Sequence, residues 1–280
     1  MAESVLSGAR ILVVAFEGWN DAGEAASSAV RRLRDELGLV AAVELDPEDY
    51  YDYQFARPLI ATGSDGVRRI TWPGVTLFAP TDRESGSVHV LLGTEPSRGW
   101  QTFAAEIIEL VDELELDVVV FLGAMLADVP HSRPIGVHAS SEGAELREIL
   151  GLDRSQYEGP IGILSVLALA FEEAGIPSAS VWASVPHYVH NSPSPKATLA
   201  LLDRLEELVG VAVPREELLA EAAAWESGID QLAEEDEEMA SYIETLERAR
   251  DTVDAPEASG DAIAEEFERY LRGRGEQPGA

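Results

Sequence analysis

The sequence contains no cysteine, few basic residues and no hydrophobic run long enough to cross a membrane. The absence of cysteine excludes disulfides, thiolate catalysis and cysteine-based metal sites. A membrane-spanning helix needs about 20 consecutive apolar residues, so we expect no membrane span. The first ten residues also lack the charged-then-apolar layout of a signal peptide. These absences predict a cytoplasmic protein.

Basic residues are scarce relative to acidic ones. The chain has 52 acidic and 20 basic side chains, which gives a net charge of −32. Such a charge repels the phosphate backbone of nucleic acids and the surface of anionic membranes. We therefore expect neither nucleic acid nor membrane as a partner.

Several common catalytic motifs are also missing. The chain has no Gly-x-Ser-x-Gly elbow, no Walker loop and no Gly-x-Gly-x-x-Gly turn, which argues against the usual hydrolase, nucleotide triphosphatase and dinucleotide-binding classes. No pair of histidines has a recognised metal-ligand spacing. The sequence predicts no metal and no cofactor.

Apolar residues are present in five short runs that alternate with helical patterns. Most runs are continuous, which is typical of strands covered on both faces. They are Ile11–Phe16, Val40–Leu45, Val88–Gly93, Val118–Gly123 and Ala179–Val185. The pattern predicts an α/β fold, a largely parallel sheet with helices on both faces in a layered sandwich.

The helices are predicted from caps and apolar stripes. One follows Asp21, which can cap it with Glu24 in the capping-box position. Others run from about Gly99 to Leu114 and from Ile161 to Ala174, and a fourth begins at Ser194-Pro195.

Residues 68–78, with Trp72-Pro73-Gly74 in the middle, predict a short antiparallel hairpin or edge piece. Residues 50–54 predict a loop with exposed aromatic rings.

The composition changes after Pro214. Residues 215–280 contain 20 acidic and six basic side chains. Large residues recur there at intervals of seven, which predicts a long helix or a helix pair that buries one seam. These residues are Leu218, Trp225, Leu232, Met239 and Leu246, with Ala222, Ile229 and Ile243 as a second line. We divide the chain into an α/β core (1–213), an acidic helical extension (214–272) and a disordered tail (273–280).

Polar clusters follow several of the predicted strands, at the edge where open α/β sheets bind ligands. The candidate ligand-binding residues in and beside these clusters are Gly18, Trp19, Asn20, Asp21, Glu95, His131, Arg133, His187 and Tyr188. Together with Gly123-Ala124 and Pro160-Ile161-Gly162, and over roughly residues 11–209, these clusters resemble the PAC2 family, named for the proteasome assembly chaperones. The resemblance implies a phosphorylase- or hydrolase-like layered fold, a homo-oligomer, a trimer, and proteasome-related or other protein partners.

Each candidate residue also has a structural interpretation. Asp21 can serve as a helix cap, worth about 1 kcal/mol, and Trp19 as a packing residue. Asn20 can bond to neighbouring backbone in the turn. Glu95 can pair with Arg98 or Arg133. Hydrogen bonds of His131 and Arg133 can hold a rigid loop between two prolines. No residue is assigned a catalytic role.

Two functions from different classes remain open at this point. The first is a non-catalytic assembly or interaction protein, which the resemblance and the incomplete catalytic set favour. The alternative is a small-molecule binding protein or enzyme for nucleoside- or phosphate-type ligands, with His131 or Glu95 as the proton-transfer group. A similar fold does not by itself establish a shared reaction or ligand. We expect the first function, and therefore a protein that is not an enzyme.

Overall fold

The computed structural model describes residues 6, 8–82 and 87–254 of the chain. The last part of the predicted helical extension, residues 255–272, and the predicted tail 273–280 lie outside the described residues. None of the described helices is long and apolar enough to cross a bilayer. The chain divides into two compact units, one of residues 1–127 and 135–225, the other of residues 128–134 and 226–280.

Strands and helices alternate through most of the first unit. The strands are β1 (Ile11–Glu17), β2 (Val40–Glu44), β3 (Leu59–Thr62), β4 (Arg68–Thr71), β5 (Val75–Ala79), β6 (Val88–Thr94), β7 (Val118–Ala127), β8 (Val137–Ser140) and β9 (Ser178–Pro186). The helices are α1 (Ala25–Glu36), α2 (Pro47–Tyr50), α3 (Trp100–Glu113), α4 (Ala144–Leu150), α5 (Ile163–Ala174), α6 (Pro195–Val209), α7 (Glu216–Glu235) and α8 (Glu237–Asp254).

Seven strands form one sheet in the order β2-β5-β6-β1-β7-β9-β8. Neighbouring strands in the central run β6-β1-β7-β9 are parallel, whereas β5 and β8 run antiparallel to their neighbours. The α/β class and the largely parallel sheet are therefore confirmed. The carboxyl ends of the four central strands lie at one edge of the sheet, where the polar clusters follow them.

Helices cover both faces of this sheet, as predicted. Along β1 the side chains alternate, so that Ile11, Val13 and Ala15 join a core with α1 and α6. Leu12, Val14 and Phe16 join a second core with α3 and α5. Burial on both faces explains why β1 reads as a continuous apolar run.

Two local predictions are wrong. The antiparallel hairpin is formed by β3 and β4, and Trp72-Pro73-Gly74 connects it to β5, which belongs to the main sheet. Proline still stands outside a sheet interior, in the link between two strands. The predicted loop of exposed aromatics contains Tyr50 and Tyr51, which are only 4% and 2% exposed. Both rings pack into the α3/α5 core.

The C-terminal helices confirm the predicted helix pair. Asp236 separates α7 from α8, and its carboxylate accepts hydrogen bonds from the backbone N–H groups of Glu238 and Met239. Ile243 and Leu246 are buried within the single chain, whereas Leu232 is 57% exposed. The interval of seven therefore does not correspond to one continuous buried seam.

Candidate functional site

The first candidate segment is the turn between β1 and α1. Gly18 leaves the strand with a φ of 117°, a left-handed conformation that glycine adopts without a Cβ clash. The backbone N–H of Asp21 then donates to the carbonyl oxygen of Gly18 over 3.1 Å. Trp19 is 73% exposed at the tip of the turn, so it is not a packing residue within this chain.

Asn20 lies beneath this turn and is only 1% exposed. Its side-chain Nδ2 donates to Glu95 Oε1 over 2.9 Å, and its backbone carbonyl accepts from the N–H of Ala124 over 2.8 Å. The same residue thus links the ends of β1, β6 and β7. The interpretation of Asn20 as a residue that bonds to backbone of its own turn is wrong, since its amide donates to Glu95.

Glu95 is the centre of this small cluster. Its Oε1 accepts both the Asn20 amide and the backbone N–H of Ile163, at 2.9 and 2.8 Å. Because Ile163 is the first residue of α5, the carboxylate stabilises a helix N-terminus, where negative charge is favourable. Arg98 instead donates to the backbone carbonyl of Asp49, so the predicted Glu95–Arg98 pair is wrong.

Gly162 makes room for the cluster. A Cβ at this position would lie 2.4 Å from Asn20 Oδ1 and 2.5 Å from Nδ2, far closer than van der Waals contact allows. The Pro160-Ile161-Gly162 segment therefore needs glycine here because the Asn20 amide is packed directly against its backbone. We call Asn20, Glu95 and the N-terminus of α5 the strand-end cluster.

Asp21 stabilises the start of α1. Its Oδ1 accepts from the backbone N–H groups of Ala26 and Ser27, at 2.8 and 3.1 Å, so the helix-capping interpretation is confirmed. The capping box is wrong, since a short 3₁₀ turn precedes the helix and Glu24 adopts a left-handed conformation without a side-chain bond. Burial raises the pKa of Asp21, while the hydrogen bonds from Ser27 and Ala26 oppose that shift.

His131 and Arg133 belong to the second unit, where they contact α7 and α8. His131 is 1% exposed and its Nε2 lies 3.0 Å from Asp230 Oδ1. Arg133 donates from Nε and Nη2 to the two carboxylate oxygens of Asp251, at 2.7 and 2.9 Å. This two-pronged bond lowers the pKa of Asp251 and raises that of Arg133.

The rest of the loop between the two prolines makes similar contacts. Ser132 donates to the Glu247 carboxylate, and Tyr242 donates to Asp128 over 3.3 Å. We call residues 128–134 the clasp loop, since its polar side chains hold the acidic helices of the second unit. The partner of Arg133 is thus Asp251, and the interpretation of a loop held by hydrogen bonds is confirmed.

The last candidate pair follows β9. His187 and Tyr188 begin a 3₁₀ turn, and their rings make an edge-to-face contact with centroids 5.8 Å apart. Both side chains are half-buried. In the first unit the structure therefore brings Asn20 together with Glu95, and His187 together with Tyr188. A ligand at either pair stays a prediction.

Chemically, the strand-end cluster contains an amide, a carboxylate and the positive end of a helix. These groups already hydrogen-bond to one another, and the cation predicted among them, Arg133, belongs to the second unit. In the described part of the chain, no three histidine or carboxylate side chains converge in a geometry that would hold a metal ion. The cluster joins β1, β6, β7 and α5 at the strand ends.

Comparison with known proteins identifies relatives of this chain. The family model described as the PAC2 family matches residues 15–233. A PAC2 family protein from Streptomyces avermitilis is 45% identical, with a TM-score of 0.75 over 83% of this chain and 98% of that one. A Mycobacterium tuberculosis proteasome-assembly chaperone homologue is 44% identical, with a TM-score of 0.74 over 83% and 99% of the two chains.

More distant likeness extends to an archaeal structure. PbaA from Pyrococcus furiosus, an archaeal homologue of proteasome-assembly chaperone, is 19% identical with a TM-score of 0.57 over 85% of this chain and 94% of that one. At that identity the likeness shows the fold alone. No curated protein matches the sequence. The family model covers most of the chain and the bacterial structures match nearly all of their own length, so this chain belongs to the PAC2 family.

Proposed function

We propose that this chain is a non-catalytic assembly or interaction protein that binds a proteasome-related protein partner. Family membership supports this function, because the M. tuberculosis relative, at 44% identity and 99% coverage of its own chain, is a proteasome-assembly chaperone homologue. The small-molecule alternative has no comparable support among the relatives. A cytoplasmic location is part of the same proposal.

The observation that carries the proposal is the way the strand-end cluster uses its polar groups. Asn20 Nδ2 and the N–H of Ile163 converge on one oxygen of Glu95, and Asp21 is occupied by two backbone N–H groups of α1. A general acid or base must instead reach a proton on the substrate. Carboxylates bonded to helix N-termini support an architectural role for these residues.

The candidate proton carrier of the clasp loop is engaged in the same way. His131 is buried against Asp230, and Arg133 is held by Asp251. Both side chains therefore position the acidic helices of the second unit. These helices then present many carboxylates to solvent, which suits recognition of a protein surface rich in cations.

Self-association is the second part of the proposal. We infer a homo-oligomer, a trimer, from the resemblance to the family. In the helical extension, Ile229, Ile243 and Leu246 are buried within one chain, so these side chains are not available for a contact between copies. We infer that a surface outside the helical extension mediates the contact between copies.

Purified chain mixed with recombinant α and β proteasome subunits from the same organism tests the proposal. We expect co-elution with one subunit type in size-exclusion chromatography and a changed rate of assembly into the mature particle. An unrelated protein of matched acidity serves as the control for charge alone. If no subunit and no assembly intermediate forms a complex with the chain, the proteasome-related function is overturned.

A thermal-shift screen tests the alternative directly. A ligand that binds only the folded state raises the melting temperature in proportion to its concentration. We expect no specific shift with nucleosides, phosphate or sugars. A shift that Asn20→Ala or Glu95→Gln abolishes, measured against each variant's own ligand-free melting temperature, would contradict the non-catalytic assignment and favour the small-molecule function.

A further inference from the structure

The hairpin formed by β3 and β4 is uncovered on both faces. All eight of its strand residues are exposed, and it pairs with no other strand of the described chain. Ile60 and Ile70 lie opposite each other in the antiparallel register and are 55% and 54% exposed. Trp72, just beyond the end of β4, is 48% exposed, and one part of its ring packs against Tyr53 with centroids 4.9 Å apart. An isolated two-stranded hairpin is marginally stable in water, so this apolar face needs a cover.

The hairpin is also cationic in a strongly acidic protein. Residues 55–72 contain three arginines and one acidic residue, Asp65. Arg69 occupies that carboxylate, with Nη1 3.0 Å from Oδ1, which lowers the pKa of Asp65. Among the described residues, Arg57 and Arg68 have no ion-pair partner. An apolar face beside two unpaired arginines fits a partner surface that is apolar and acidic.

Such a surface exists at the other edge of the same sheet. Strands β8 and β9, α5 and the segment 154–161 enclose an open groove of about 360 Å³. Tyr157, Ile161 and Leu169 line it and are 66%, 41% and 48% exposed, among several serines. Glu142 and Glu158 also line it, and Arg154 pairs with Glu142 over 2.8 Å, which leaves the Glu158 carboxylate for a cation of a partner. Residues 141–173 contain seven acidic side chains and two arginines. We call this surface the edge groove.

We propose that the β3–β4 hairpin of one copy docks into the edge groove of a second copy of this chain. The inference rests on the homo-oligomer part of the proposed function and names the surfaces that form it. Charge complementarity selects this occupant, because every copy carries one cationic apolar hairpin and one groove with exposed apolar side chains in an acidic segment, residues 141–173. The net charge of −32 disfavours nucleic acid or an anionic membrane as the cover for the arginines.

The topology gives the contact a direction. The hairpin leaves the sheet between β2 and β5, whereas the groove lies beside β8, the last strand at the opposite edge. Two different surfaces therefore meet, and the association is head-to-tail. A contact of this type closes into a ring when its rotation allows, and a trimer would then use three identical contacts with no hairpin left exposed.

Two variants and their mixture test the proposal by light scattering coupled to size-exclusion chromatography. The hairpin variant, Ile60→Asp/Ile70→Asp, keeps its groove intact, and the groove variant, Leu169→Arg, keeps its hairpin intact. We expect an oligomer for the unmodified chain and a monomer for each variant. An equimolar mixture should form a dimer and nothing larger, because only one intact hairpin and one intact groove can meet.

Controls separate lost docking from lost folding. Leu219→Asp changes a residue that is 55% exposed on α7 and should leave the oligomer unchanged. Circular dichroism should show the same helix and strand content for all variants. Should the hairpin variant misfold, Arg57→Gln/Arg68→Gln retains the apolar pair. It should raise the Kd of association several-fold, with a larger effect at low salt than at high salt.

Each other outcome identifies a different error. A monomeric unmodified chain at micromolar concentration would overturn both the homo-oligomer and this contact. An oligomer that survives in the folded hairpin variant would overturn the docking while leaving the homo-oligomer standing. A monomeric hairpin variant whose mixture with the groove variant yields no dimer would show that the hairpin binds a surface other than the edge groove.

Discussion

The strand-end cluster predicts a large stability cost for Asn20→Ala. Asn20 is 1% exposed and donates to the Glu95 carboxylate over 2.9 Å. Hydrogen bonds to charged groups contribute about 1.5–3 kcal/mol, and truncation also leaves a small void against Gly162. We therefore expect the free energy of unfolding to fall by about 2–3 kcal/mol. For a domain of this size that corresponds to a loss of roughly 4–12 °C in Tm.

Urea unfolding and calorimetry measure this cost, and a double-mutant cycle assigns it to the contact. In the Glu95→Gln background the bond loses its charge-assisted character, so Asn20→Ala should cost about 1 kcal/mol less there. Trp19→Ala provides a matched neighbour, since that side chain is 73% exposed and its removal should change stability by no more than about 0.5 kcal/mol. A cost for Asn20→Ala below about 0.5 kcal/mol, or purely additive effects, would refute this reasoning.

Three further predictions follow from contacts of other candidate residues and of Gly162. Gly162→Ala should cost about 1–3 kcal/mol in urea unfolding, because its Cβ meets the side chain of Asn20 at 2.4 Å; Asn20→Ala should remove most of that cost, and a full cost in the double variant would contradict it. Burial raises the pKa of Asp21, so the free energy of unfolding falls as pH rises through the pKa of this carboxyl and it ionises. Asp21→Asn should therefore be as stable as the unmodified chain in acid and relatively more stable towards neutral pH. A stability difference that does not depend on pH would count against the raised pKa. Arg133→Gln should accelerate amide hydrogen exchange in α8, and the Arg133 effect should vanish as pH falls through the lowered pKa of Asp251; unchanged exchange at neutral pH would refute it.

The fold could be predicted from the sequence because its signals are local. A strand buried on both faces must be a continuous apolar run, and β1 is one. The sequence places the hairpin several residues too late, because β3 and β4 are exposed on both faces and lack the alternation that identifies a half-buried strand. The burial of Tyr50 was missed because the ring packs against α3 and its hydroxyl donates to Glu106.

For the candidate site, the sequence predicts that polar residues lie at the strand ends, but it does not predict which of them are in contact. Both Asn20 and Glu95 stood at the expected edge, but their contact spans 75 residues of sequence, and no local pattern encodes such a pairing. The sequence pattern groups the clasp loop with Asn20 and Glu95, because His131 and Arg133 also follow a strand. Their partners are single carboxylates, Asp230 and Asp251, among the many acidic residues of the extension, and composition alone cannot select one of them.

The clasp loop has a consequence for the order of events during synthesis. His131 leaves the ribosome 99 residues before its partner Asp230, which at about 5–20 residues per second is a delay of roughly 5–20 s. Throughout that interval the clasp loop has been synthesised but its partner carboxylates, Asp230 and Asp251, have not. The second unit therefore completes only near the end of translation, and a chain truncated before α7 would lack these partners permanently.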